Sequence, residues 1–226
     1  MKEIEFKWAV SSPRDYSHFL VVLKKLNIKI VLLKSVKIHD FYLDTSDRFF
    51  VSSRISCRIR KEDSRWELTF KTRTPLKQGL AMRTEKNISL KRVKTFLQAL
   101  QCCKKLLQGI LSDPVIIKIF EIKNMRRRYK IILSKQTQAM VCFDKVWIQK
   151  GSQKVPLQEI ELEFLKGNLH TYYEFIHKMV EVCELEPAKV SKVATAIKTF
   201  KLDVPEKKLN QALKNRIFQC NKSYSI

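Results

Sequence analysis

The segment Lys2-Glu3-Ile4-Glu5-Phe6-Lys7-Trp8 alternates between charged and apolar residues at every step. A β-strand sends successive side chains to opposite faces. Glu3, Glu5 and Lys7 therefore share one face, and Ile4, Phe6 and Trp8 the other. The same period of two recurs in Cys57-Arg58-Ile59-Arg60 and in Trp66-Glu67-Leu68-Thr69-Phe70-Lys71. It returns in Arg83-Thr84-Glu85, in Arg126-Arg127-Arg128-Tyr129-Lys130, in Phe143-Asp144 and in Glu159-Ile160-Glu161-Leu162-Glu163-Phe164. One reading of each segment alone is an amphipathic antiparallel sheet with a solvated polar face.

Taken together, the segments point elsewhere. A solvated face intersperses both signs of charge. Here acids dominate the first and late strands, and arginines and lysines dominate those between. Like charges two residues apart on one pleat face repel, unless an ion of the other sign sits between them. Paired arginines suit a polyanion, grouped carboxylates suit a hard divalent cation, and a metal triphosphate supplies both. Closing the sheet with its charged face inward gives a barrel with a polar lumen and an apolar exterior that needs helices.

The sequence supplies those helices. Ser12-Pro13 opens one as N-cap and first helical residue, with Tyr16, Phe19, Leu20 and Leu23 on its apolar stripe. Further helices are expected over Leu90–Gln108, Thr171–Cys183, Val190–Phe200 and, as a tail, Glu206–Cys220. Strands are expected at Lys2–Val10, Ile28–Leu33, Val36–Leu43, Ser53–Lys61, Trp66–Thr72 and Met82–Ile88. Four more follow at Val115–Lys123, Arg126–Ser134, Gln138–Trp147 and Pro156–Phe164. The class is α+β, an antiparallel barrel with covering helices. There is no glycine-rich phosphate loop, so a phosphate binder of this kind must use side chains.

Bulk properties bound the function. The 226 residues carry 45 Lys and Arg against 22 Asp and Glu, a formal +23. That excess favours polyanionic partners without choosing among them. The six cysteines show neither metal-ligand spacing nor a C-x-x-C pair, and read as reduced thiols of a cytoplasmic protein. Charged residues directly after Met1 leave no room for a signal peptide, and Lys24, Lys25, Lys29 and Lys34 break the most apolar stretches, excluding a membrane-spanning helix. His18, His39, His170 and His177 pair with no nucleophile in the pattern.

The ordered series resembles the CYTH superfamily of triphosphate tunnel metalloenzymes, which includes thiamine triphosphatases, inorganic triphosphatases and class IV adenylate cyclases. Glu3-Ile4-Glu5-Phe6-Lys7 is similar to its E-x-E-x-K signature. Tyr42-Leu43-Asp44-Thr45, Cys57-Arg58-Ile59-Arg60, Leu68-Thr69-Phe70-Lys71, Arg83-Thr84-Glu85, Arg126-Arg127-Arg128-Tyr129, Asp144 and Glu161-Leu162-Glu163 follow in the family's order. Lys189, Ser191 and Lys192 are similar to a late basic and serine pattern.

The resemblance implies a closed eight-stranded tunnel over residues 1–203, followed by a helical appendage at 204–226. It implies Mg²⁺ or Mn²⁺ held by Glu3, Glu5, Asp144, Glu161 and Glu163. Substrate oxygens would be held by Lys7, Arg58, Arg60, Lys71, Arg83, Arg126, Arg128 and Lys192. Glu5, Lys7 and Glu161 are the expected catalytic residues, and Glu85 is expected to orient Arg83. The implied activity is metal-dependent hydrolysis of tripolyphosphate, thiamine triphosphate or a nucleoside triphosphate. The alternatives are a cyclase forming cyclic AMP and a basic nucleic-acid-binding protein; secondary RNA binding by the basic exterior is compatible with the first.

Overall fold

The computed structural model describes residues 2–202, 211–219 and 224–225. Among these residues ten strands and six helices run in the order β1 (Lys2–Ala9), α1 (Pro13–Lys25), β2 (Lys29–Leu32), β3 (Val36–Thr45), α2 (Phe49–Ser52), β4 (Ile55–Glu62), β5 (Arg65–Thr72) and β6 (Leu80–Lys91). Then come α3 (Phe96–Gln108), β7 (Ile116–Ile132), β8 (Gln138–Lys150), β9 (Gln153–Lys166), α4 (Leu169–Cys183), α5 (Lys192–Thr199), α6 (Gln211–Gln219) and β10 (Tyr224–Ser225). Strands β1, β9, β8, β7, β3, β4, β5 and β6 pair antiparallel in that order, and β6 pairs back onto β1 to close an eight-stranded barrel. β2 adds to the far end of β7, and β10 lies parallel along β6.

Two expected boundaries shift. The helix expected from Leu90 begins at Phe96, because Leu90 still pairs with Trp66 in the sheet. The helix waits for Thr95, whose side chain accepts from the Gln98 backbone while Gln98 returns a bond to the cap. The two strands expected at Val115–Lys123 and Arg126–Ser134 are one continuous strand of 17 residues. It is long enough to pair with β3 over one half and β2 over the other. The ends of the expected tail helix, Glu206 and Cys220, lie outside the described residues; between them α6 places Ile217, fully buried, against the α3 cluster.

Apolar faces point outward and are covered. α1 and α4 pack over Ile4, Phe6, Trp8, Phe143, Ile160 and Leu162, and α3 over Cys57, Ile59, Trp66, Leu68 and Phe70. Burying each such side chain contributes roughly 1.5–3 kcal/mol. α5 takes a different position. Its Val193, Ala196, Ile197 and Phe200 pack with Tyr42, Phe120, Ile122, Val146 and Ile148, residues from strands β3, β7 and β8. Phe120, Ile122, Val146 and Ile148 continue the even-numbered side of β7 and β8 that carries Arg126 and Asp144. α5 thus stops one end of the barrel with an apolar plug.

The chain delivers this plug along β1. Ala188 N–H donates to Lys7 O at 2.9 Å, and Ala9 N–H donates to Glu186 O at 2.9 Å. On the same edge of the strand, just before β6, Lys7 N–H donates to Gly79 O at 3.0 Å. Gly79 has φ +85°, and a Cβ there would meet Lys7 O at 2.7 Å and Phe6 Cζ at 2.8 Å. Gly79→Ala is expected to lower stability by about 1–3 kcal/mol through both strain and clash. Urea unfolding checks this, and an unchanged midpoint would contradict it.

Candidate active site

Strand register sets opposite charges against one another inside the barrel. Lys7 stands opposite Glu161, Glu3 opposite Arg83, Lys71 opposite Glu85, Arg60 opposite Asp40 and Arg126 opposite Asp144. Asp144 in turn faces Glu159 on β9. Most lumen charges thus meet an opposite sign across the register, whereas acids face acids where β9 meets β8 and β1.

The deepest group lies next to α5. Lys192, the first residue of that helix, places Nζ 2.9 Å from Asp144 Oδ2 and 2.8 Å from Glu161 Oε1, with Glu159 also in contact. Lys7 reaches Glu159 Oε1 at 3.2 Å and Glu5 Oε2 at 3.3 Å, and touches Glu161. Arg126 forks onto Asp144, with Nε–Oδ1 2.7 Å and Nη2–Oδ2 2.6 Å, and also touches Glu161. Asp144, Glu159 and Glu161 are all buried, and each offers an oxygen within 4.8 Å of the other two. Tyr16, on α1 outside the barrel, fixes this spot from behind by donating to Asp144 O at 2.7 Å.

The opposite wall is richer in arginine. Asp40 accepts from Arg60 Nε at 2.7 Å and Nη2 at 2.8 Å, and lies 3.5 Å from Arg58 Nη1. Lys71 bridges Glu3 Oε2 at 2.7 Å and Glu85 Oε2 at 3.0 Å. Arg83 is held by Glu5. The expectation that Glu85 orients Arg83 is therefore corrected. The two lie two residues apart on one strand face, whereas Lys71 is the direct cross-strand neighbour of Glu85. Arg58 also stands 3.8 Å from Glu85. Its Nε and Asn124 Oδ1 are buried without a hydrogen-bond partner among the described residues.

These groups enclose a cavity of about 490 Å³. Of the expected site residues, Glu3, Glu5, Lys7, Arg58, Arg60, Lys71, Arg83, Arg126, Glu161, Glu163 and Lys192 line it. Asp144 lies just beneath the surface, fully buried against Arg126 and Lys192. Arg128 is elsewhere: its guanidinium lies at the rim, bonded to Lys34 O at 3.3 Å and 3.2 Å and near Glu62 at 3.4 Å. Glu3, Glu5 and Glu163 stand outside the compact three-carboxylate group.

Sequence reasoning missed Asp40 and Asn124, and read Glu159 on the charged face without assigning it a role. Glu159 had a signal, since it extends the alternating Glu161 and Glu163 by one more step on the same face. Asp40 had almost none. It is a lone acid between His39 and Phe41, and its meaning comes from the β3–β4 register that sets it opposite Arg60.

Electrostatics follow the geometry. Burial opposes ionisation throughout, yet Lys192, Lys7 and Arg126 hold Glu161 well below the usual carboxylate range. Arg126 and Lys192 also lower Asp144, and Arg60 and Arg58 hold Asp40 well below the usual range. Lys71 and Arg58 bring Glu85 down to about 2. For Glu159 burial wins, and its pKa rises despite Lys192 and Lys7. Glu159, Glu161 and Glu5 outweigh burial at Lys7 and keep it charged.

The chain matches the CYTH domain family over residues 1–197. It belongs to that family. It is 27% identical over 186 residues to an inorganic triphosphatase of Haemophilus influenzae, an alignment covering 79% of this chain and 49% of that protein. The chain thus spans about half the length of that relative. Two solved structures share the fold. One is a Hippeastrum adenylyl-cyclase candidate described as revealing a dominant triphosphatase activity, with TM-score 0.60 and 18% identity, covering 89% of this chain and 97% of that one. The other is a Pyrococcus horikoshii protein with TM-score 0.57 and 15% identity, covering 87% and 99%.

Glu163 is another lumen acid that its surroundings hold toward the protonated form. Burial, then Glu3 and Glu161, push its pKa up to about 7. Its folded value exceeds the unfolded value of about 4.3. The stability carried by its proton is therefore complete below about pH 4.3 and lost as pH rises through 7. In metal-free buffer, Glu163→Gln is expected to gain about 1–3 kcal/mol over the parent at pH 8, with the gain shrinking toward pH 5. Urea unfolding across that range checks it, and a pH-independent difference would contradict it.

Proposed function

We propose that the tunnel binds a triphosphate group together with a divalent cation and hydrolyses its terminal phosphoanhydride bond. The observation that carries this reading is the placement of three mutually close carboxylates beside a wall of arginines and lysines inside one closed barrel. A donor set of carboxylate oxygens only suits a hard cation such as Mg²⁺ or Mn²⁺. Asp144, Glu159 and Glu161 would hold it. When bound, the ion would supply Lewis-acid polarisation of phosphate oxygens.

The protein's own contribution is placement and charge. Arg58, Arg60, Lys71, Arg83 and Arg126 bind phosphate oxygens. Asp40 fixes the fork of Arg60, while Glu3 and Glu5 fix Lys71 and Arg83. These five cations are thus aimed before substrate arrives. Lys7 and Lys192 take the developing negative charge at the deep end. Water attacks the terminal phosphorus, and the bond to the bridging oxygen breaks. The apolar plug of α5 limits how far the phosphate chain can enter.

We place the protein in the cytoplasm, in keeping with five buried free cysteines among the described residues. No described helix is long and apolar enough to cross a membrane. We treat residues 1–203 as the tunnel unit and 204–226 as its appendage.

The test is purified protein with Mg²⁺ or Mn²⁺ and tripolyphosphate, thiamine triphosphate or ATP. Phosphate release is expected, and cyclic AMP formation from ATP would favour the cyclase reading instead. Glu161→Gln is expected to lower turnover at least about 10²-fold while far-UV circular dichroism is retained. Full activity in a folded Glu161→Gln variant would overturn the assignment.

A further inference from the structure

One outer face of the barrel carries a charge pattern that tunnel chemistry does not use. Cross-strand register on β3, β7 and β8 sets Lys37, Met125 and Lys145 in one row. Lys123 and Trp147 stand in the next, and Arg127 follows Met125 on the same side of β7. Lys154 on β9 lies with its Nζ 5.3 Å above the Trp147 ring. These five cations are exposed, and Met125 is 50% exposed. The acid on this side of β7, Glu121, is already engaged by His39 at 3.1 Å and Lys118 at 3.4 Å.

At the edge nearest α1 the face opens into a hollow of about 590 Å³. Tyr16 and Phe143 line it with ring centroids 4.8 Å apart, and Lys37, Arg127 and Lys145 surround it. Strand geometry spaces cations on such a face roughly 7–13 Å apart, so one flexible polyanion meets several at once. Cations tracking a backbone, interleaved with flat π-surfaces, are the two elements of single-strand recognition. An interfacial anchor buries a broad apolar face, and beyond Met125 and Trp147 these rows present mostly cations.

We propose that this face binds single-stranded nucleic acid. Phosphates meet Lys37, Lys123, Arg127 and Lys145, while bases stack on Trp147. The proposal stands apart from the tunnel reading and does not require it.

Fluorescence anisotropy with 5′-hydroxyl oligouridylate and oligoadenylate tests it, because these strands carry no triphosphate for the tunnel. The variant K37E/K123E/K145E is expected to bind at least about tenfold more weakly, with its log–log salt slope reduced by about 2. Trp147→Ala is expected to weaken binding about tenfold with the slope unchanged. K104E/K105E, on exposed lysines of α3, serves as the charge control, and thermal melting confirms that each variant is folded. The proposal is overturned if the wild-type protein binds neither strand, if the α3 control loses as much affinity as the triple variant, or if anionic phosphatidylserine vesicles bind this face while the strands do not.

Discussion

Everything in this molecule depends on neutralising buried charge inside a closed barrel. Glu5, Lys7, Asp40, Arg83, Glu85, Asp144, Glu159 and Glu161 are all nearly inaccessible to water. A buried ion left unpaired costs several kcal/mol, and even a paired one rarely adds net stability. The fold tolerates the arrangement because strand register places a partner of opposite sign opposite most of them. The apolar exterior, sealed by α1, α3 and α4, carries the folding free energy instead.

An arrangement that is costly to bury and adds little stability makes sense as preorganisation. Arg60 is forked by Asp40, Arg126 by Asp144, and Lys192 is held by three carboxylates at the start of a plug helix. None of these cations has to search for its geometry when a polyanion enters. The anchoring bonds continue outward. Tyr16 of α1 braces the backbone of Asp144, and residues 186–188 run beside β1 to bring Lys192 into the lumen. Contacts from α1 and from residues 186–188 therefore reach the inner site directly.

How much of this was legible in the sequence follows from what is local. The period of two in Lys2–Trp8 and Glu159–Phe164 gave the strand faces, and Ser12-Pro13 gave the start of α1, capped as expected with Asp15 closing the box. The order of charged strands pointed to a closed lumen, and the CYTH relationship confirms that fold. What stayed hidden depends on partners distant in sequence. Asp40 matters only because β3 pairs with β4, and Arg83 turns to Glu5 rather than Glu85 because β6 closes onto β1. Arg128 matched the motif, yet the length of β7 carries it past the lumen to the rim. A basic exterior was expected from the net charge, but the face that carries it was not. Lys37, Lys123 and Lys145 are far apart in the chain and become neighbours only through register.

The most direct measurement is anomalous diffraction from crystals soaked with Mn²⁺ and tripolyphosphate. The account predicts one Mn²⁺ peak among Asp144, Glu159 and Glu161, with phosphate density running toward Arg58 and Arg60. Manganese and tripolyphosphate bound only outside the barrel, with the lumen ion pairs undisturbed, would contradict it.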